Sequence, residues 1–330
     1  MNRNARSSAL VTGASGFLGA HLVSALRANG HNVTALVRTG SDQRRLRRLA
    51  NGISPIACDL SDLAGLSRVI ATTKPQTIYH LAGDTTVRAY DGNWEIVERA
   101  IRANVMGALN VVQAAMQSGA PVRRIIRTGG LEEYGDGPSP SHEGQRESPT
   151  SPYSASQVSV THWFQMIQHQ TEIMLTTLRP ALIYGPEQNT AFLIPSLIRA
   201  LLSGTRFAMT SGQQKRDLLY VDDAIRAFMI AGEHEGIGGE VINISTGFGR
   251  PMVDVATRIA ELLSAQHLLD VGTKPARPMD LDEVSGQNDH AEKTLGWTPE
   301  TPLSDGLRKT IEWHKRETAP STDNPAGPEQ

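Results

Sequence analysis

Three glycines near the amino terminus, Gly13, Gly16 and Gly19 in "VTGASGFLGAHLV", follow an apolar run and open an amphipathic one that begins with Phe17 and Leu18. Glycine at these points permits a tight turn, close backbone approach to a pyrophosphate and close packing of helix on strand, while the helix amino terminus attracts negative charge. The spacing therefore predicts a dinucleotide site. The end of the second strand bears on which dinucleotide: a carboxylate there accepts from a free adenosine ribose, whereas an arginine suits a 2′-phosphate. Arg38 holds that place, with Arg44 and Arg45 close behind, so NADP is expected and NAD is the second choice. Asp59, in "CDL" with Leu60, is placed to meet the adenine amino group or to cap the helix that follows. Ala82 in "YHLAG" ends a later strand at the same edge.

A second pair of chemical groups lies in "SPYSASQ". Tyr153 and Gln157 are four residues apart, about one helical turn, so a phenol and a carboxamide share a helix face. A phenol can give or take a proton at a substrate oxygen, and an amide can hold a ribose hydroxyl.

The elements that must position these groups alternate along the first half of the chain. Strand patterns cover residues 8–12, 32–38, 53–59, 77–82, 124–128 and 175–184, and helical patterns cover 17–28, 42–50, 63–72, 94–117 and 154–170. Such alternation predicts parallel strands joined by right-handed crossovers, hence a doubly wound α/β sheet. Residues 7–185 are read as the dinucleotide-binding domain, to which 217–248 return. Residues 186–216 and 249–316 are read as a smaller, mainly helical substrate-binding domain, and the polar, proline-rich 317–330 as a disordered tail.

Composition excludes several other functions. A chain of 330 residues with a formal charge of −2 can bury a sizeable core and offers no electrostatic case for nucleic acid or an anionic membrane. Its one cysteine, Cys58, excludes a disulfide framework, and its ten histidines show no paired ligand spacing, so no metal is expected. No apolar run approaches the roughly 20 residues of a membrane span, and the start is too polar for a signal peptide. A cytoplasmic protein is expected.

Taken together, "TGASGFLG", "CDL", "YHLAG", "RANVMGALNVV", "GGLEEYG", "SPYSASQ", "LRPALIYGP", "QQKRDLLYVDDAI", "NISTG" and "KTLGWTPETPLSDGLRKTIEWH" resemble the extended short-chain dehydrogenases/reductases that modify nucleotide sugars: epimerases, 4,6-dehydratases and 4-keto reductases. The resemblance implies a Rossmann-type fold, a nucleotide-diphosphate sugar as substrate and a homodimer paired through the helices at 94–117 and 154–170. It implies Tyr153 as the catalytic acid or base. Arg216 and Arg277 would grip the diphosphate, as guanidinium groups match phosphate oxygens two at a time, and Thr86 and Asn189 would meet the substrate.

The chain departs from that pattern at two positions. The family's lysine, four residues after the tyrosine, is Gln157 here, and the hydroxyl residue four before Tyr134 is Gly130. Gln157 can hold the ribose but cannot lower the phenol's pKa, which leaves roughly one part in a thousand as phenolate at pH 7. Ketone reduction needs the neutral phenol and alcohol oxidation needs the phenolate, so reduction of a 4-keto sugar is the expected reaction. The alternatives are an epimerase or dehydratase with retained cofactor, and a nucleotide-sugar binder that has lost catalysis. Glu132 occupies the place of the glutamate that takes the C5 proton in dehydratases, or it is an exposed loop residue beside Glu133; the acid expected next to it is Leu131.

Overall fold

The structure, a computed structural model, describes residues 7–87, 92–276 and 281–318. Arg277 lies outside the described residues. In chain order the first half comprises β1 (Ser8–Thr12), α1 (Phe17–Ala28), β2 (Asn32–Val37), α2 (Arg44–Leu49), β3 (Ile56–Ala57), α3 (Leu63–Thr73), β4 (Thr77–His80), α4 (Trp94–Ala100), α5 (Gly107–Gln117), β5 (Arg124–Thr128) and α6 (Pro152–Gln168). The second half adds β6 (Met174–Pro180), β7 (Leu182–Tyr184), α7 (Leu193–Leu202), β8 (Phe207–Ala208), β9 (Lys215–Tyr220), α8 (Val221–Glu233), β10 (Val241–Ile244), β11 (Gly249–Pro251), α9 (Met252–Leu262), β12 (Leu269–Asp270), β13 (Glu283–Val284), α10 (Asp289–Leu295) and α11 (Leu303–Thr318).

Seven strands form one parallel sheet in the order β3-β2-β1-β4-β5-β6-β10. The winding reverses between β1 and β4, the crevice where a doubly wound sheet binds its ligand. This is the Rossmann-type architecture the alternation predicts. Apolar residues of α1, α7, α8, α9 and α11 fill one continuous core, and those of α3, α5 and α6 fill another.

Proline decides where two predicted strands differ from the observed ones. The strand at 53–59 pairs only over Ile56–Ala57, because Pro55 cannot donate to a ladder. The run at 175–184 divides after Pro180: β6 stays in the main sheet, while β7 pairs with β9 in a second, smaller one. At the other end, α11 runs through Thr318, so the expected tail gives up Glu317 and Thr318, and Glu317 pairs with Arg48.

The predicted helix at 94–117 is continuous but contains a wide, π-type turn, Ile101–Met106, between α4 and α5. Such an inserted turn commonly marks a functional site. Here it contains Asn104, which is buried. Asn104 Oδ1 accepts from the Asp84 amide at 2.6 Å, and its Nδ2 donates to Ser156 Oγ at 2.9 Å. The loop after β4 is thereby fastened to α6.

Candidate active site

Backbone geometry at the end of β1 accounts for two of the three glycines. Gly13 has φ +68°, and a Cβ there would fall 2.8 Å from the Ala82 backbone. A Cβ on Gly19 would lie 2.2 Å from the Gly13 carbonyl oxygen, so any larger residue would push α1 off the turn. Gly16 caps α1 without a side-chain hydrogen bond, and the first turn, with Phe17 and Leu18, holds no acidic residue. The first-turn amides of a helix have no intrahelical acceptor, which suits an anion. These residues fit a dinucleotide pyrophosphate.

The neighbouring arginines separate into two groups. Arg44 is held by Asp42, and Arg45 donates to the Ser15 carbonyl at 3.1 Å and to the Glu187 carbonyl at 2.9 Å. Arg45 thus braces the glycine turn and does not offer itself to a phosphate. Arg38 is exposed just past the end of β2. Asp59 accepts from Ser61, both N–H at 2.9 Å and hydroxyl at 2.8 Å, and these bonds hold its carboxyl below the usual range. It does not cap α3; Asp62 does, accepting from the Gly65 amide. The Leu60 carbonyl accepts from Asn110.

Tyr153 owes its place to the start of α6. Ser151 is the N-cap, its hydroxyl accepting from the Ser154 amide, and Pro152 opens the helix, where its missing N–H costs nothing. The Tyr153 amide donates to the Val87 carbonyl at 3.0 Å, and its ring packs with Val87, Ala100 and Ile96. One turn on, Gln157 is buried, and its Nε2 lies 3.8 Å from where a Cβ on Gly83 would stand. The amide thus lies beside Gly83, just past β4 at the β1/β4 crevice, and Tyr153 stands one turn before it on α6.

Behind them lies a charge network that the sequence reading missed. Arg127 on β5 donates to Gln157 Oε1 at 2.5 Å, to the Gln157 carbonyl at 3.2 Å and to Thr161 Oγ1 at 3.0 Å. It also pairs with Glu133 at 3.4 Å. Glu133 accepts from Arg179 at 2.7 Å, from Thr161 Oγ1 at 2.6 Å and from the Gly130 amide at 3.2 Å. Arg179 continues to Glu147 at 2.7 Å. Arg127 and Glu133 are each 1% exposed and Arg179 is 0%, so the whole network is buried. A cue was present in the sequence: Arg127 interrupts an apolar strand, and a charge on a central strand has to be paired.

Glu132 is half-buried, and its Oε2 is 3.9 Å from where a Cβ on Gly130 would stand. Its carboxylate thus borders the space a hydroxyl residue at position 130 would fill. On the substrate side, Thr86 donates its hydroxyl to Asp84 and accepts from Arg99. Asn189 is exposed, with its side chain accepting from the Ala191 amide. Arg216 donates to the carbonyls of Lys215 and Leu281. Among the described residues no group of acidic, histidine or cysteine side chains could hold a metal ion.

His80 lies beside Arg127 in the sheet and shares a 2.9 Å hydrogen bond with Thr12. Burial first, and Arg127 second, push it from 6.5 down to about 3. The unfolded chain therefore binds more protons between those values, and stability falls as pH drops through that window. His80→Gln should flatten the acid limb of stability between pH 6.5 and 4 by up to about 1.4 kcal/mol per pH unit, measured by urea unfolding. An unchanged slope would refute this.

Fold and glycine turn together define a dinucleotide-dependent enzyme of the Rossmann type. Residues 9–245 match the NAD dependent epimerase/dehydratase family, and the chain belongs to it. It is 31% identical over 320 residues to a UDP-glucose 4-epimerase of Mycolicibacterium smegmatis, covering 94% of this chain and 99% of that protein. Among solved structures, MoeE5 with UDP-glucuronic acid and NAD superposes with a TM-score of 0.82 at 30% identity, covering 94% of this chain and 100% of the other. A UDP-glucose 4-epimerase of Thermotoga maritima with UDP-glucose gives 0.83 at 26% identity, covering 94% and 99%.

Proposed function

We propose that this chain exchanges hydride at C4 of a nucleoside-diphosphate hexose, with inversion of configuration as the net reaction. The observation that carries this reading is the seating of Tyr153 on the same helix face as Gln157, with Arg127 bonded to that amide. The bias toward ketone reduction rested on a site without a cation, and a cation stands one amide away. A bound nicotinamide would take up and return the hydride. Tyr153 would move the proton at the sugar hydroxyl, Gln157 Nε2 would hold the nicotinamide ribose, and Gly13, Gly16 and Gly19 would leave room for the pyrophosphate. Arg216 and Arg277 would pair with the substrate diphosphate, in a substrate portion made of 186–216 and 249–316. The names of the relatives make UDP-glucose the first substrate to try.

Reduction of a 4-keto sugar by NADPH is the second reading, favoured by Arg38 at the ribose edge and by the missing hydroxyl at Gly130. Incubation with UDP-glucose, and separately with a 4-keto sugar nucleotide and NADPH, distinguishes the two. Inversion without net cofactor use supports the first, and one NADPH spent per ketone supports the second. Tight dinucleotide binding with neither reaction would sink both.

The chain's pairing is part of the same proposal. Trp94, Ile101, Met106 and Met116 are exposed along 94–117, and Trp163 and Met166 along α6, an apolar face of the kind that meets a partner. Two copies joined there are expected to separate in Trp163→Glu, halving the mass found by light scattering; an unchanged mass would remove this face as the interface.

A further inference from the structure

Arg127 and Gln157 act on each other through geometry that admits one arrangement. A guanidinium has donors and no acceptor. By reaching Gln157 Oε1 at 2.5 Å, it fixes which end of the amide faces inward. The other end, Nε2, is then turned to Gly83 at the mouth of the crevice. Arg127 has little freedom of its own: it also holds the Gln157 carbonyl and Thr161, and its guanidinium lies 5.8 Å from the centre of the Phe164 ring.

We propose that Arg127 is a positioning residue of the hydride-transfer site, which locks the Gln157 amide with Nε2 toward the cofactor and places a permanent positive charge behind Tyr153. Its use in catalysis rests on the reaction proposed above, but the electrostatic part belongs to the protein alone.

The surrounding charges leave that role to Arg127. Glu133, from the turn after β5, is shared with Arg179 of β6, which is in turn neutralised by Glu147. His80 of β4 stays uncharged at neutral pH. In the loop after β4, Asp84 is paired with Arg99. Glu132 borders Gly130. Burial pulls the Arg127 pKa down most, and Glu133, with the Tyr153 oxygen as a smaller partner, opposes it.

The test is the titration of Tyr153 in cofactor-free protein, followed by NMR of tyrosine labelled at Cζ and assigned by its loss in Tyr153→Phe. In Arg127→Gln, which keeps a hydrogen-bonding side chain and removes the charge, the phenol should titrate about 1 unit or more higher than in the wild type. Adding Gln157→Lys to that variant, which returns a cation to the same helix face, should bring the titration back. An unmoved titration in Arg127→Gln overturns the proposal. If that single variant does not fold, the double variant decides: titration within about half a unit of the wild type supports it, and a higher value or failure to fold overturns it. Because the readout uses neither substrate nor turnover, a chain that inverts no sugar would refute the proposed reaction while leaving this assignment standing.

Discussion

Replacing Tyr153 by phenylalanine should lower turnover by about 10²–10⁴-fold, the range a positioned proton-transfer group contributes, while dinucleotide affinity changes by less than about tenfold (1.4 kcal/mol). Two features of the site lead to this split. The ring is held by Val87, Ala100 and Ile96, and the backbone by the Val87 carbonyl, so phenylalanine keeps the packing that places α6. The glycine turn at Gly13–Gly16 and the Gln157 amide, proposed to hold the cofactor, are built from other residues and survive the change. Only the hydroxyl proposed to move the proton is lost. Stopped-flow turnover and fluorescence titration of the cofactor measure the two quantities separately. Turnover within tenfold of the wild type would mean that another group, with Glu132 the nearest candidate, handles the proton.

Much of this arrangement was legible in the sequence because the signals were local. The glycine spacing fixed β1 and α1, and the cap and proline at Ser151 and Pro152 explain why the helix presenting Tyr153 begins where it does. The "CDL" segment follows β3, which stops at Ala57, and "YHLAG" spans the end of β4, which stops at His80, each two residues short of the strand end read from the sequence. What could not be read depends on the third dimension. Pro180 diverts β7 into another sheet, a consequence of which strand lies next to it and not of the apolar run. The wide turn at Ile101–Met106 leaves the apolar pattern of its helix intact, so nothing in the periodicity points to Asn104. Arg127, Glu133 and Arg179 come from "RIIRT", "LEEYG" and "LRP", and their meeting is visible only when β5 and β6 are side by side.

That meeting carries the second large expected effect. Among the described residues Glu133 is the one carboxylate that touches both Arg127 and Arg179, and it also accepts from Thr161 and the Gly130 amide. Glu133→Leu fits the volume but leaves Arg127 without a counter-charge and Arg179 with Glu147 alone. Removing one partner of a buried ion pair typically costs about 3–5 kcal/mol, a large share of the roughly 5–15 kcal/mol that holds a native protein together. The double variant Arg127→Leu/Glu133→Leu removes one charge of each sign and keeps the Arg179–Glu147 pair, and replacing a buried pair by apolar side chains is often nearly neutral. The double should therefore be more stable than Glu133→Leu by about 2 kcal/mol or more, read from urea unfolding, even though it carries more substitutions. It should nonetheless be the poorer cofactor binder, because the Gln157 amide has lost the guanidinium that orients it. If the double were less stable than Glu133→Leu, Arg127 would be stabilising the fold by contacts other than its charge pair, and Thr161 and the Gln157 carbonyl would be the bonds responsible.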